Sequence, residues 1–258
     1  MSDYLLREDA PISPETWAKI DEMVVTVARK NLVGRKVLEI AGPLGWGVGQ
    51  APIFGFGLSD DAWVAEAPKY FPLEEIAAEF TLKAQHLAMA EQTPYGLDLG
   101  AVAMATLKVT AEEDGIVVDG LKSKAKGPMP LGDWTVMGEP FAAVAQGIAR
   151  LRKAGIDEPY ALILSPLKYA QLASLMQHGR RELAMVESVV KGGVHPYVAM
   201  PDDQVLLVGA ASWNADIVLG QDIVTAYLGN EGLDHRFRVF ETLVLRVKRP
   251  ECVCVLEG

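Results

Sequence analysis

Four glycines, Gly42, Gly45, Gly47 and Gly49, close a short apolar segment within VGRKVLEIAGPLGWGVGQAPIFGFG, which runs from Val33 to Gly57. Glycines after a strand cradle phosphate when a helix follows, because its free N–H groups and dipole face the anion. Here the spacing is G-x-x-G-x-G-x-G rather than G-x-G-x-x-G, and QAPIFGFGLSDD carries a proline, two further glycines and no helical period. No Lys-Ser/Thr pair follows, which removes a P-loop as well. The glycines read instead as a bend where backbone passes close to other backbone.

The other residues with chemical potential are scattered. His86, His178, His195 and His235 stand singly, none in H-E-x-x-H and none preceded by Glu at the third position. The acidic pairs Asp60-Asp61, Glu74-Glu75, Glu112-Glu113 and Asp202-Asp203 point apart on a strand or a helix, which makes them solvated charge. Cys252 and Cys254 would share a strand face about 6.6–7 Å apart, at the outer limit for a disulfide. They read as small core residues, with a metal or redox pair as the alternative, and suit a reducing compartment. G-x-S-x-G is absent and no Cys–His set stands out. No catalytic residue and no metal site are expected.

Composition points to covered surface. Half of the 258 residues are apolar before glycine is counted and only 22% are charged, more apolar than an ordinary soluble domain. Other subunits are the simplest cover. A net charge of -10 argues against nucleic acid as the main partner. No apolar run reaches eighteen residues, so no membrane span is expected, and the start MSDYLLREDAPISPE has no apolar signal region; a cytoplasmic protein is expected.

The elements follow from periodicity. Ser13-Pro14 opens a helix whose face is Trp17, Ile20, Val24 and Val27, ended by Gly34, and KVLEI at 36–40 reads as a strand. From Gly42 to Pro72 no period holds, yet Trp46, Phe54, Phe56, Trp63, Tyr70 and Phe71 argue against disorder; such an arm folds against something outside its own domain. AEFTL is strand-like. Asp98–Asp114 is the strongest helix, with Leu99, Val102, Ala105, Thr106 and Val109 on one face, Gly115 as its stop and GIVVDG as a short strand after it. From about Lys122 the pattern turns α/β. It has helices from Pro140 to Gly155, Pro166 to Gly179 and Arg181 to Lys191, a buried strand ALILS, and short strands YVAM, VLLVGA, DIVLGQ and IVTAYL. Two long strands broken at Pro250 end the chain. There is no internal repeat.

The segments REDAPISPETWAKIDE, LVGRKVLEIAGPLGW, EEDGIVVDG, EPYALILSP, VLGQDIVTAY and FRVFETLVLRV stand in the order seen in encapsulins, the nanocompartment shell proteins once described as linocin-type bacteriocins. The chain resembles that family over nearly its whole length, most specifically at Gly34-Arg35-Lys36, Gly42-Pro43, Gly45-Trp46 and Gly220-Gln221-Asp222. The resemblance implies the α+β fold of tailed-phage major capsid proteins (HK97-like). The peripheral domain would be 1–47, 74–121 and 226–258, with a spine helix near 98–114. The E-loop would span 48–73 and the axial domain 122–225. It implies a homo-oligomer of about sixty copies or a multiple. It further implies a cargo enzyme held by a short C-terminal peptide in an apolar groove on the inner wall. Carried over by position, the groove residues are Val27, Lys30, Leu32, Val33, Glu39, Ile223, Val224, Leu243 and Leu245; each apolar one has ordinary core as its second reading, and Lys30 and Glu39 solvated charge. The loop between two axial helices, with His178, Gly179, Arg180 and Arg181, would line a pore that favours anions; an exposed turn is the equal alternative. Some members stack a flavin on a Trp aligned with Gln85, so no flavin or other cofactor is expected here. Trp134 has no assigned role. A tailed-phage or prophage capsid protein shares this fold and is the first rival; a bacteriocin- or peptidase-like enzyme, the second, lacks a nucleophile–base set.

Overall fold

The computed structural model describes residues 4–59, 61–177 and 179–258. Helix α1 (Pro14–Asn31) starts where Ser13 Oγ accepts the Thr16 N–H at 3.2 Å, with Pro14 in the first turn. Its buried stripe is Trp17, Ile20, Val24 and Ala28. Ala28 takes the place expected of Val27 because four residues after Val24 returns to the same face. The expected strand at 36–40 is instead one helical turn, α2 (Gly34–Val37), followed by β1 (Glu39–Ala41). A remote carboxylate decides this: Asp114 accepts the Val33 and Gly34 N–H groups at 2.7–2.9 Å and caps the turn.

The arm is a hairpin paired with itself, β2 (Gln50–Ile53) with β5 (Lys69–Pro72) and β3 (Phe56–Ser59) with β4 (Ala62–Ala65). Ala51 is its one buried residue among those described, while Trp63 is 75% exposed. Then come β6 (Glu74–Leu82), α3 (Ala84–Gln92) and α4 (Gly100–Lys122). Helix α4 runs through Gly115 and absorbs the GIVVDG expected as a strand. A glycine in a helix costs about 1 kcal/mol, less than the gain from burying Val117, Val118 and Leu121.

The remainder is β7 (Met129–Pro130), α5 (Glu139–Lys153), β8 (Tyr160–Leu164), α6 (Pro166–Ser174), β9 (Met176–Gln177), β10 (Arg180–Arg181), α7 (Glu182–Val189), β11 (Val194–Pro196), β12 (Gln204–Gly209), β13 (Ala215–Leu219), β14 (Val224–Glu231), β15 (Asp234–Val247) and β16 (Val253–Glu257). The expected strand YVAM is shifted upstream to β11. Two sheets organise the chain. The first runs β1-β13-β15-β14 with β6 also on β15, under α1 and α4. The second runs β11-β8-β12-β16-β7, against α5. The boundary expected near 225 does not follow these sheets. β13 belongs to the first, and the last strand, β16, pairs with β12 in the second through Val205↔Leu256 and Leu207↔Cys254. The break at Pro250 lets the chain cross between them. Trp134 is buried in the core and donates its indole N–H to Leu131 O at 2.9 Å.

The glycine bend now has a mechanical account. A Cβ on Gly42 would lie 2.4 Å from Leu219 O, and its φ is +124°. Leu44 and Gly45 donate to Leu219 O and Gly220 O at 2.9 and 2.7 Å, so the bend is bonded to the loop after β13. Around Gly45, Gly47 and Gly49 the space is open, contrary to the expected close passage; only Gly45 keeps a positive φ, +107°. Gly42→Ala should therefore destabilise the subunit by at least about 2 kcal/mol, while Gly47→Ala should stay within about 0.5 kcal/mol of wild type. Denaturant midpoints of the two variants check this, and equal midpoints would remove the steric argument.

Candidate functional site

Three consecutive residues of α2 point three ways. Gly34 faces α4, where a Cβ would sit 3.0 Å from Val117 Cγ1, so the turn can lie directly on that helix. Arg35 turns inward. Its Nε and Nη2 donate to Glu113 Oε1 and Oε2 at 2.7 and 2.9 Å, Nη2 also donates to Glu241 Oε2 at 2.6 Å, and Nη1 donates to Asp222 Oδ1 at 2.7 Å. Lys36 turns outward and donates to Lys30 O at 3.0 Å.

The cluster joins four distant pieces of chain: α2, α4, β15 and the loop before β14. Glu113 and Glu241 are fully buried, whereas Asp222 keeps half its side chain in solvent. Glu113 therefore departs from the solvated charge expected of Glu112-Glu113. Burial, then the charge and hydrogen bond of Glu113, push the Glu241 carboxyl far above its ordinary range, against the pull of Arg35. Glu241 Oε1 is buried without a hydrogen-bond partner among the described residues. Burial opposes the Arg35 charge, yet the bonds and charges of Glu113, Glu241 and Asp222 raise its pKa further. Nearby, burial lifts Asp114 to about 6 although the Gly34 and Val33 amides hold it down.

Two grooves open at the C-terminal end of α1. The first, about 340 Å³, is walled by Val24, Val25, Ala28 and Leu32 of α1 and its end, with Ile223 opposite and Arg29, Arg35, Lys36 and Asp222 as charged groups. The second, about 360 Å³, lies between Lys30, Val33 and Lys36, the α4 residues Leu107 and Ala111, and the stretch Pro196 to Val198. Among the described residues no group of three or more His, Cys, Asp or Glu side chains is placed to hold a metal ion. Cys252 and Cys254 are buried free thiols, and burial pushes Cys252 up to about 12.

The family profile described as "Encapsulating protein for peroxidase" matches residues 1–244. The chain belongs to the encapsulin family. It is 32% identical to the type 1 encapsulin shell protein of Myxococcus xanthus over all of this chain and 98% of that one. It is 33% identical to a diheme-cytochrome-encapsulin shell fusion protein of Kuenenia stuttgartiensis over 95% of this chain and 74% of that one. In fold it matches the virus-like particle of Pyrococcus furiosus with a TM-score of 0.82 at 21% identity, over 94% and 100% of the two chains. It also matches the mature capsid of bacteriophage PhiM1 with a TM-score of 0.60 at 10% identity, over 88% and 87%. The capsid fold expected from the sequence is thus present, and the family match sets the encapsulin reading above the phage capsid.

Set against the encapsulin groove positions, the expected residues divide. Leu32 and Ile223 line the first groove; Lys30 and Val33 line the second. Val27 is half-buried on α1, and Glu39 is exposed on β1 opposite Asp216. Val224 lies opposite Phe240, and Leu245 packs where a Cβ on Gly120 would fall 2.6 Å from its Cδ2. Leu243 is fully buried and serves the core. Gly179, Arg180 and Arg181 lie in the short hairpin β9–β10, where both arginines are exposed; His178 lies outside the described residues. Val24, Val25, Ala28 and Arg29 were missed, although their i, i+4 spacing with Leu32 marks one side of the helix. Arg35 and Asp222 stood out as family marks without a role, and their shared hydrogen bond supplies one.

Proposed function

We propose that this chain is the shell subunit of an encapsulin nanocompartment, closing with about sixty copies of itself or a multiple around a cargo enzyme. The observation that carries this reading is the arm. It is a two-stranded hairpin that buries little of itself, and such a hairpin is marginal alone in water. It nevertheless presents Phe54, Phe56, Trp63, Tyr70 and Phe71 to solvent. Apolar surface of this kind has a purpose when a neighbouring subunit covers it. In this reading 48–73 is the E-loop. The sheet carrying β15 is the core of the peripheral domain, and the sheet carrying β8 is the core of the axial domain. The root of the arm is fixed to its own subunit: Arg246 Nη1 donates to Pro52 O at 2.9 Å while Nε and Nη2 grip Asp216 at 2.8 and 2.6 Å.

The first groove is the seat of a cargo peptide, with Val25, Leu32 and Ile223 taking its aliphatic anchors. The β9–β10 hairpin with Arg180 and Arg181 borders a pore that favours anions. The bond-making chemistry belongs to the cargo. No helix among the described residues is long and apolar enough to cross a membrane, and a cytoplasmic compartment suits the reading.

Purified chain should sediment as closed particles, visible by negative stain. Trp63→Glu, at an exposed tip, should leave the melting of the isolated subunit almost unchanged yet abolish particles. Particles of normal yield from this variant would sink the arm as the assembly device.

A further inference from the structure

We propose that the cargo segment runs through both grooves and sets an Asp or Glu side chain on Lys36 between two aliphatic anchors. This rests on the reading of the first groove as a peptide seat. Lys36 forms part of the wall of both grooves, and the proposed track passes over it at the end of α1. Each part has its own apolar floor: Val25 and Ile223 in the first, Leu107 and Val198 in the second. Val198 is 87% exposed, an aliphatic group that its own subunit's core does not use.

Charge selects the occupant. The chain has 34 acidic and 24 basic residues, yet the exposed charges along this track are Arg29, Lys30 and Lys36, with Asp222 half in solvent beside Arg35. Among the described residues none of the three has a carboxylate within ion-pair distance. The track's own carboxylates are engaged: Asp222 by Arg35, and Asp114 by the Val33 and Gly34 amides. Lys36 gives one hydrogen to Lys30 O, and an ammonium carries three. A carboxylate arriving there gains a charge-assisted hydrogen bond, whereas a cation meets like charge. Extended peptide alternates its side chains, so two anchors and a central acid can be presented along one strand.

The test co-expresses the full chain with a fluorescent protein bearing a random dodecapeptide. The dodecapeptide is placed either at the extreme C-terminus or before a Gly-Ser tail. Assembled shells are isolated by size and the packaged tails sequenced. Enrichment of aliphatic–Asp/Glu–aliphatic patterns is expected in both placements. Lys36→Glu should shift the central preference to Lys or Arg. Val25→Asp and Val198→Asp should each lower packaging about tenfold. All three positions are exposed, and particle size reports that the variants still assemble. Enrichment confined to tails that end the chain, basic residues at the centre with wild-type shells, or an inert Val198→Asp beside a disabling Val25→Asp would overturn the extended track and leave the first groove standing. Wild-type shells that package no tail above the random background would overturn the peptide seat itself, and the track with it.

Discussion

Arg35→Ala should destabilise the subunit by about 3–5 kcal/mol, the cost of removing one partner from a buried ion cluster. The guanidinium is the cation held by two fully buried carboxyl groups, Glu113 and Glu241, and by the half-exposed Asp222. Without it the Glu113 carboxylate loses both of its Arg35 bonds and stays in low dielectric. A loss of this size removes a large share of the roughly 5–15 kcal/mol that holds a domain together, so the yield of assembled particles should collapse. Arg35→Lys should recover only part, because a single ammonium cannot make the forked contact with Glu113. Asp222→Asn should cost no more than about 1 kcal/mol, since solvent screens that pair. The combined variant Arg35→Met, Glu113→Gln, Glu241→Gln separates charge from shape and should regain much of the loss. Denaturant midpoints decide the matter, and an Arg35→Ala midpoint equal to wild type would rule out the cluster as the tie between α2, α4 and β15.

The same cluster sets a slope of stability with pH. The folded chain binds the Glu241 proton more tightly than the unfolded chain, whose carboxyl has its ordinary value of 4.5. The stabilisation is therefore full below that value and declines as pH rises toward the raised folded value. Asp114 acts with the same sign, from 3.8 to about 6, and its share is spent by neutral pH. The thiols of Cys252 and Cys254, both raised by burial from 9.0, act with the same sign only as pH nears that ordinary value. Between pH 7 and 8 the slope belongs to Glu241, and the thiols join it only near pH 9. The ceiling for Glu241 is one proton, about 1.4 kcal/mol per pH unit, or about 2.7 kcal/mol from pH 7 to 9. Glu241→Gln imitates the protonated acid and should flatten the curve. The readout is the urea midpoint at pH 7, 8 and 9 for both proteins; parallel curves would show that Glu241 does not hold a proton in the folded state.

Much of this was legible from residue spacing. The stripe of α1, the capped start at Ser13, the long helix and the buried strand ALILS follow from periodicity and turn chemistry, whereas the arm was marked by its aromatics and its lack of a period, and its pairing with itself came from the structure. The failures share a cause. Helix α4 continues through Gly115 because the residues beyond it find a core to fill. The turn of α2 replaces a strand because Asp114, 80 residues away, supplies its cap. β16 crosses to the other sheet because the kink at Pro250 aims it there. At the candidate site, Leu32 and Ile223 could be placed by analogy, but Leu243 looks the same in a list of apolar residues and lies in the core.

By itself the sequence determined the residue types. It set a chain rich in apolar residues, an arm rich in aromatics, no nucleophile–base set, and the marks at 34–36 and 220–222 that tie it to encapsulins. Only the tertiary structure decided that those marks meet, with Arg35 and Asp222 bonded across 187 positions of chain around two buried carboxyls. Periodicity reports which face of one element is apolar. A buried charge is tolerated only where partners from other elements converge on it, and that convergence is a property of the folded chain.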